Sequence, residues 1–172
     1  MARTRPALTE PPSGDGGAPA LQAVARERAD MQHWLLEKAV ADLCSASNVV
    51  PLSDGHIDLL VRSGPTSVVF EMKSCSPLDT AGPLRRAVWR LLEYRYLYRD
   101  ALGSDVRLCV VIQRRPRASC EWLIGFLEHL GIGMVWRNDG DAGLSCTDFT
   151  KTLLGDILPP IRGWETKPML WQ

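Results

Sequence analysis

No apolar run in the 172-residue chain approaches the roughly eighteen residues a bilayer-spanning helix requires, so no transmembrane segment is expected. Residues 1–20 also lack the apolar stretch of a secretory signal peptide. Cysteine is sparse and odd in number: Cys44, Cys75, Cys109, Cys120 and Cys146, with no CxxC pair. That pattern argues against a disulfide framework and a thiolate zinc site. It fits small buried hydrophobes in a reducing, cytoplasmic setting. No Walker-type loop and no GxGxxG fingerprint occurs, so nucleotide-driven work by this chain is not expected. His33 and His129 read as isolated, without ligand spacing, and no histidine is placed by sequence to activate a cysteine nucleophile.

Excess charge is missing as well. Twenty basic and twenty acidic residues give a formal net charge of zero, which disfavours strong non-specific binding to a polyanion through bulk charge. The distribution is less even. Arg85, Arg86, Arg90, Arg95 and Arg99 crowd one predicted helix, and Arg114, Arg115 and Arg117 follow a predicted strand. Local patches of this kind can still meet a polyanion. Six tryptophans are present; Trp34, Trp89, Trp122 and Trp136 sit among apolar residues and read as core or half-buried packing rather than base-stacking platforms.

The remaining chain is ordinary for a globular protein of one domain. Residues 1–20 are rich in Pro, Gly and Ala and read as a flexible tail. Helical periodicity runs over 21–46, with Val24, Met31, Leu35, Val40 and Leu43 as the expected buried stripe. A short apolar segment at 49–52 follows, then strand candidates at 56–62 and 67–73. Ser63-Gly64-Pro65-Thr66 between them suits a four-residue hairpin connection. After a loop containing Gly82-Pro83, a helix is expected over 84–101, a strand over 106–113, a helix over 119–130, a strand over 132–136 and a short helix near 149–154. This order predicts an α/β fold with a mixed sheet, because a short hairpin forces an antiparallel pair and crossover helices allow parallel neighbours.

Register places the chemistry. If Arg62 faces Ser67 across the turn, Asp58 faces Glu71 and His56 faces Lys73. Facing side chains on antiparallel strands have Cβ atoms about 4.5–5.5 Å apart, and the two-residue period puts all four on one face. Ile57, Leu59, Val61, Val68, Phe70 and Met72 then form an apolar opposite face. Adjacent carboxylates repel, and a hard divalent cation such as Mg²⁺ relieves that repulsion while keeping waters and phosphate oxygens in its shell. A lysine two residues from Glu71 reaches the same pocket, where it can orient a water and offset phosphate charge.

Asp58 within His56-Ile57-Asp58-Leu59-Leu60-Val61, followed by Val68-Val69-Phe70-Glu71-Met72-Lys73-Ser74, resembles the PD-(D/E)XK nuclease superfamily, with its restriction-endonuclease-like fold. The resemblance covers roughly residues 30–113. It implies a three-layer α/β/α core around a central mixed sheet, forming a single nuclease-like domain over 21–172. By the same resemblance the catalytic residues are Asp58, Glu71, Lys73 and, on the preceding helix, Glu37. Asp58, Glu71 and the Met72 carbonyl would hold Mg²⁺, with Mn²⁺ as a substitute. His56, Arg90 and Tyr94 would line the substrate approach. No proline directly precedes Asp58, and Arg90-Leu91-Leu92-Glu93-Tyr94 carries Arg where a related subgroup has Gln before its Tyr.

The expected activity is metal-dependent hydrolysis of phosphodiester bonds, with DNA preferred to RNA by fold-level resemblance. A metal-activated water would attack without a covalent intermediate. Two alternatives stand beside it: a non-catalytic nucleic-acid- or protein-binding member of the same fold, and a catalytic subunit whose separate partner supplies recognition. A protein partner or a homodimer is compatible with both; a membrane is not expected.

Overall fold

The computed structural model describes residues 3–4, 18–53, 55–76, 79–138, 143–158 and 164–166. The expected flexible tail over 1–20 lies outside these residues except at 3–4 and 18–20. The elements in order are β1 (Arg3–Thr4), α1 (Ala18–Ala46), β2 (Leu52–Ser53), β3 (Leu59–Ser63), β4 (Thr66–Lys73), α2 (Ala81–Leu97), α3 (Arg99–Leu102) and β5 (Asp105–Ile112). Then follow a 3₁₀ turn (Ala118–Cys120), α4 (Trp122–His129), β6 (Ile132–Arg137), β7 (Leu144–Cys146), α5 (Asp148–Leu154) and β8 (Trp164–Thr166).

The eight strands among the described residues form one sheet in sequence order. β1 to β4 are successively antiparallel, β4, β5 and β6 are parallel, β7 is antiparallel to β6, and β8 is parallel to β7. The sheet is therefore mixed, as expected. The two crossovers, through α2–α3 and through α4, advance in the same direction across the sheet. With right-handed connections that places α2 and α4 on one face. Their side chains Leu84, Leu91, Leu123 and Leu127 pack there with Val69, Leu108, Val110 and Met134. The other face is covered by α1 and by the segment from α5 to Leu158, with Leu36, Val40, Cys44 and Leu154 against Val68, Phe70, Val111 and Val135. The result is three layers, helix, sheet and helix. Side chains as large as Phe70 and Trp136 are almost wholly enclosed, each contributing about 1.5–3 kcal/mol through burial.

The β3–β4 register has the expected pairing, with Arg62 opposite Ser67 and Leu59 opposite Phe70. The connection is tighter than expected: Ser63 pairs with Thr66, so Gly64-Pro65 alone makes the turn. Gly64 has φ +57°, the left-handed value that primed hairpin turns demand. The ladder also stops earlier. Residues 55–58 form a bend instead of strand, entered through Gly55 at φ +87°. Alternation is broken there, and Ile57 packs with Leu60 and Val69 on the α2 face instead of joining Leu59 and Val61.

Three further expectations are corrected by packing. The buried stripe of α1 is Leu36, Val40 and Cys44, whereas Met31, Leu35 and Leu43 are half-buried; the side chain of Val24 lies outside the described residues. Gly82 and Pro83 belong to the first turn of α2, where proline's missing N–H costs nothing and the Gly82 N–H donates to Asp79 Oδ1 at 3.0 Å. Trp136 is in the core and Trp34 is half-buried, as expected, but Trp89 and Trp122 are 71% and 48% exposed. Four of the five cysteines are buried and all five are free thiols. Among the described residues no helix is long and apolar enough to cross a membrane.

Candidate metal centre

The site forms where β3 begins and β4 ends. Because the side-chain period of β4 is two, Val69, Glu71 and Lys73 point to the α2 face while Phe70 and Met72 point to α1. Asp58 lies one residue before the first paired position of β3. Its Oδ2 accepts a hydrogen bond from the Met72 backbone N–H at 2.8 Å, so a side chain takes a donor beyond the end of the ladder. That bond fixes the carboxylate and leaves Oδ1 directed at α1.

On α1, His33 and Glu37 are one turn apart and share a face. His33 Nε2 lies 3.5 Å from Glu37 Oε1 and 3.7 Å from Asp58 Oδ1. One ligand atom from each of His33, Glu37 and Asp58 falls within 4.8 Å of the other two, a spacing able to hold a metal ion. All three residues are partly buried. The imidazole is held protonated above its ordinary range by its hydrogen bond with Glu37; burial opposes this, and the Asp58 charge adds to it.

Glu71 is wholly buried and is contacted by the Lys73 ammonium. The Arg90 guanidinium stands 3.6 Å away. Glu71 Oε2 has no hydrogen-bond partner among the described residues. Burial raises the Glu71 carboxyl above its ordinary value, the Asp58 charge raises it further, and Lys73 and Arg90 partly offset both. A buried carboxylate with an orphaned oxygen, close enough to a second carboxylate to feel its charge, is the arrangement a cation stabilises.

The remaining sequence candidates converge on the backbone of the bend. Tyr94 Oη donates to the His56 carbonyl, and Arg90 donates to the same oxygen at 3.3 Å. The Arg90 guanidinium lies 5.4 Å from the Tyr94 ring centre. Burial, followed by the charge of Glu71, pushes the Tyr94 hydroxyl up to about 12, so it remains a donor. Arg90 and Tyr94 thus anchor residue 56 and, through it, the approach of Asp58. The His56 residue is exposed. Met72 contributes its N–H to Asp58, and its side chain is buried in the α1-facing core.

His33 is the residue that sequence reasoning missed. It reads as isolated only if histidines are compared with one another. Its spacing of four from Glu37 on a helix was the available signal.

The donor set suits a divalent ion. Carboxylate oxygens from Asp58 and Glu37 fit Mg²⁺ or Mn²⁺, and an added imidazole shifts preference toward Mn²⁺ and later transition ions. Two features of the fold and site define a coarse class: a mixed sheet flanked by helices, and a His-Glu-Asp cluster able to hold a metal. No protein-family model, curated protein or solved structure matches the chain.

Proposed function

We propose that the protein is a metal-dependent nuclease that hydrolyses phosphodiester bonds, with Mg²⁺ or Mn²⁺ held by Asp58, Glu37, His33 and Glu71. The observation that carries this reading is convergence. His33 and Glu37 of α1 meet Asp58 of the 55–58 bend, and at the end of β4 the Glu71–Lys73 pair lies close enough for Asp58 and Glu71, and Lys73 and His33, to feel one another's charge. A divalent ion bound there supplies Lewis acidity to a phosphoryl oxygen and acidity to a water. Lys73 then places a positive charge where phosphate charge develops. Glu71 positions Lys73 through their contact. Arg90, 44% exposed at its side chain, offers the guanidinium fork that matches phosphate geometry. The resemblance to the PD-(D/E)XK superfamily supports the same assignment and is the ground for preferring DNA. The Met72 carbonyl and His56 remain proposed contributors to the ion's shell and to the substrate approach.

Purified protein should cut plasmid, linear or single-stranded DNA with Mg²⁺ or Mn²⁺ and stop on adding EDTA. Failure on every nucleic acid, alone and with its natural partner, would overturn the reading. One observation favours a non-cleaving role in the same fold: Lys73 and Arg90 already counter the Glu71 charge without an ion. Such a protein would bind nucleic acid or protein with no dependence on divalent ions.

A further inference from the structure

We infer that the outward flank of α2 is a docking ridge for single-stranded nucleic acid, with Trp89 and Tyr96 as stacking platforms and Arg85 and Arg99 as phosphate contacts. The inference rests on the nuclease reading for its purpose, and on separate residues for its evidence. Trp89 and Tyr96 are 71% and 70% exposed. They are seven residues apart, which places them on one helix face about 10.5 Å apart along the axis. The inner face of α2 is already anchored by Leu84, Ala87, Leu91 and Tyr94, so the outer aromatics do no packing for the core. Two large rings left in water on one stripe ask for a partner.

Charge chooses among partners. Arg85 precedes Trp89 by one turn, and the Arg99 guanidinium lies 5.3 Å from the Tyr96 ring centre. Residues 81–102 hold five arginines and no lysine, against only Glu93 and Asp100, in a chain whose net charge is zero. Arginine stacks on rings and forks onto phosphates. Arg85 and Arg99 flank the two rings, with Glu93 on the turn between them, so guanidinium groups stand where the phosphates on either side of stacked bases would lie, and each stacked base is worth roughly 1–3 kcal/mol. A duplex hides its base faces within its own stack and would use only the arginines. The same residue types also occur in protein hot spots. Continuity with the candidate metal centre favours nucleic acid: Arg90, on the site-facing flank of the same helix, is 3.6 Å from Glu71. A strand lying along α2 would pass beside Arg90 at the edge of the candidate metal centre.

The test uses the full chain in EDTA, with fluorescence anisotropy of labelled oligo-dT, oligo-rU and a duplex of matching length. The single strands should bind about tenfold more tightly than the duplex, and the dT and rU arms decide between DNA and RNA. Trp89→Ala and Tyr96→Ala should each weaken single-strand binding about tenfold with no loss of melting temperature, and Trp89→Phe should restore most of it. Arg85→Ala or Arg99→Ala should lower the salt slope by about 0.7. Equal binding of duplex, no binding at all, or binding indifferent to these variants overturns the ridge. So does sedimentation showing that Trp89→Ala only dissolves a dimer. Mn²⁺-dependent cleavage separates the two readings. Cleavage with a KM untouched by Trp89→Ala and Tyr96→Ala removes the ridge and keeps the nuclease; binding that needs the ridge but never leads to cleavage does the reverse.

Discussion

Asp58 accepts a hydrogen bond from the Met72 backbone N–H at 2.8 Å, through Oδ2, while its Oδ1 faces His33 at 3.7 Å. One carboxylate therefore has a structural oxygen and an oxygen placed where it could bind an ion. Asp58→Asn keeps an acceptor for Met72 and removes the anionic ligand, so melting temperature should change little while Mn²⁺ affinity and cleavage are lost. Asp58→Ala also strands the buried Met72 N–H, at a cost of about 1–3 kcal/mol. Calorimetric titration and thermal melts on both variants check this: equal stability of the two would show that the Met72 bond contributes nothing.

Protons should compete with the ion at His33. The imidazole's folded pKa lies above its ordinary 6.5 because of its hydrogen bond with Glu37, despite burial and with help from Asp58. A raised pKa means the folded chain holds this proton more tightly than the unfolded chain. The stability it contributes is full below pH 6.5 and is lost as pH rises through the folded value. Metal binding must expel that proton. Mn²⁺ affinity should therefore climb with pH, by up to about tenfold per unit for one proton released, until pH passes the raised folded value, and then level off. His33→Gln should flatten the climb. An unchanged slope in that variant would take His33 out of the metal shell.

Glu71 predicts a crossing of two stabilities. Its carboxyl is raised by burial first and by Asp58 second, so the ionised form is disfavoured in the fold. For a carboxyl with a raised pKa, stability falls as pH climbs from the unfolded value of 4.5 through the folded value. Without metal at neutral pH, Glu71→Gln should then melt higher than wild type, by about 2–4 °C for each kcal/mol recovered, and the gain should vanish below pH 4.5. With saturating Mn²⁺ the order should reverse, because wild type, with one more carboxylate for the ion, gains more of its binding energy than the variant does. A variant that melts lower in EDTA would mean that the Lys73–Glu71 pair outweighs the desolvation of Glu71.

Much of this was readable from residues because the β3–β4 hairpin is short and turns at Gly-Pro, which fixes one register, and five of the six expected apolar side chains (Leu59, Val61, Val68, Phe70 and Met72) share the α1 face. The parallel strands were readable from two apolar runs separated by helices. Local rules failed at the bend. Nothing in His56-Ile57-Asp58 alone announces that Gly55 turns the chain, that Ile57 changes face, or that a carboxylate replaces the ladder at Met72. The position of α1 over the sheet was equally hidden, because docking depends on Leu36, Val40 and Cys44 meeting Phe70 and Met72 across the fold. His33 followed from that docking and was missed with it. β7 and β8 are too short, at three residues each, for periodicity to show.

The Lys73 ammonium contacts Glu71, and its side chain is 19% exposed, which permits two roles that one substitution can separate. If Lys73 acts on developing phosphate charge and on the attacking water, Lys73→Ala should leave Mn²⁺ affinity close to wild type while turnover falls by about 10²–10⁴, the usual contribution of a positioned proton-transfer group. KM should move little, because the interaction strengthens only as charge develops. Arginine should rescue poorly, since its planar fork cannot occupy the point that an ammonium occupies beside Glu71. If Lys73 serves only as the counter-ion of Glu71, its loss leaves a buried carboxylate, already raised by the Asp58 charge, without its closest cation. Melting temperature in EDTA should then drop, and added Mn²⁺ should recover it together with activity. Titration, melting with and without Mn²⁺, and single-turnover cleavage on this one variant therefore assign the lysine. Lost turnover with retained metal affinity places it in the chemistry, whereas activity restored by the ion returns it to the fold.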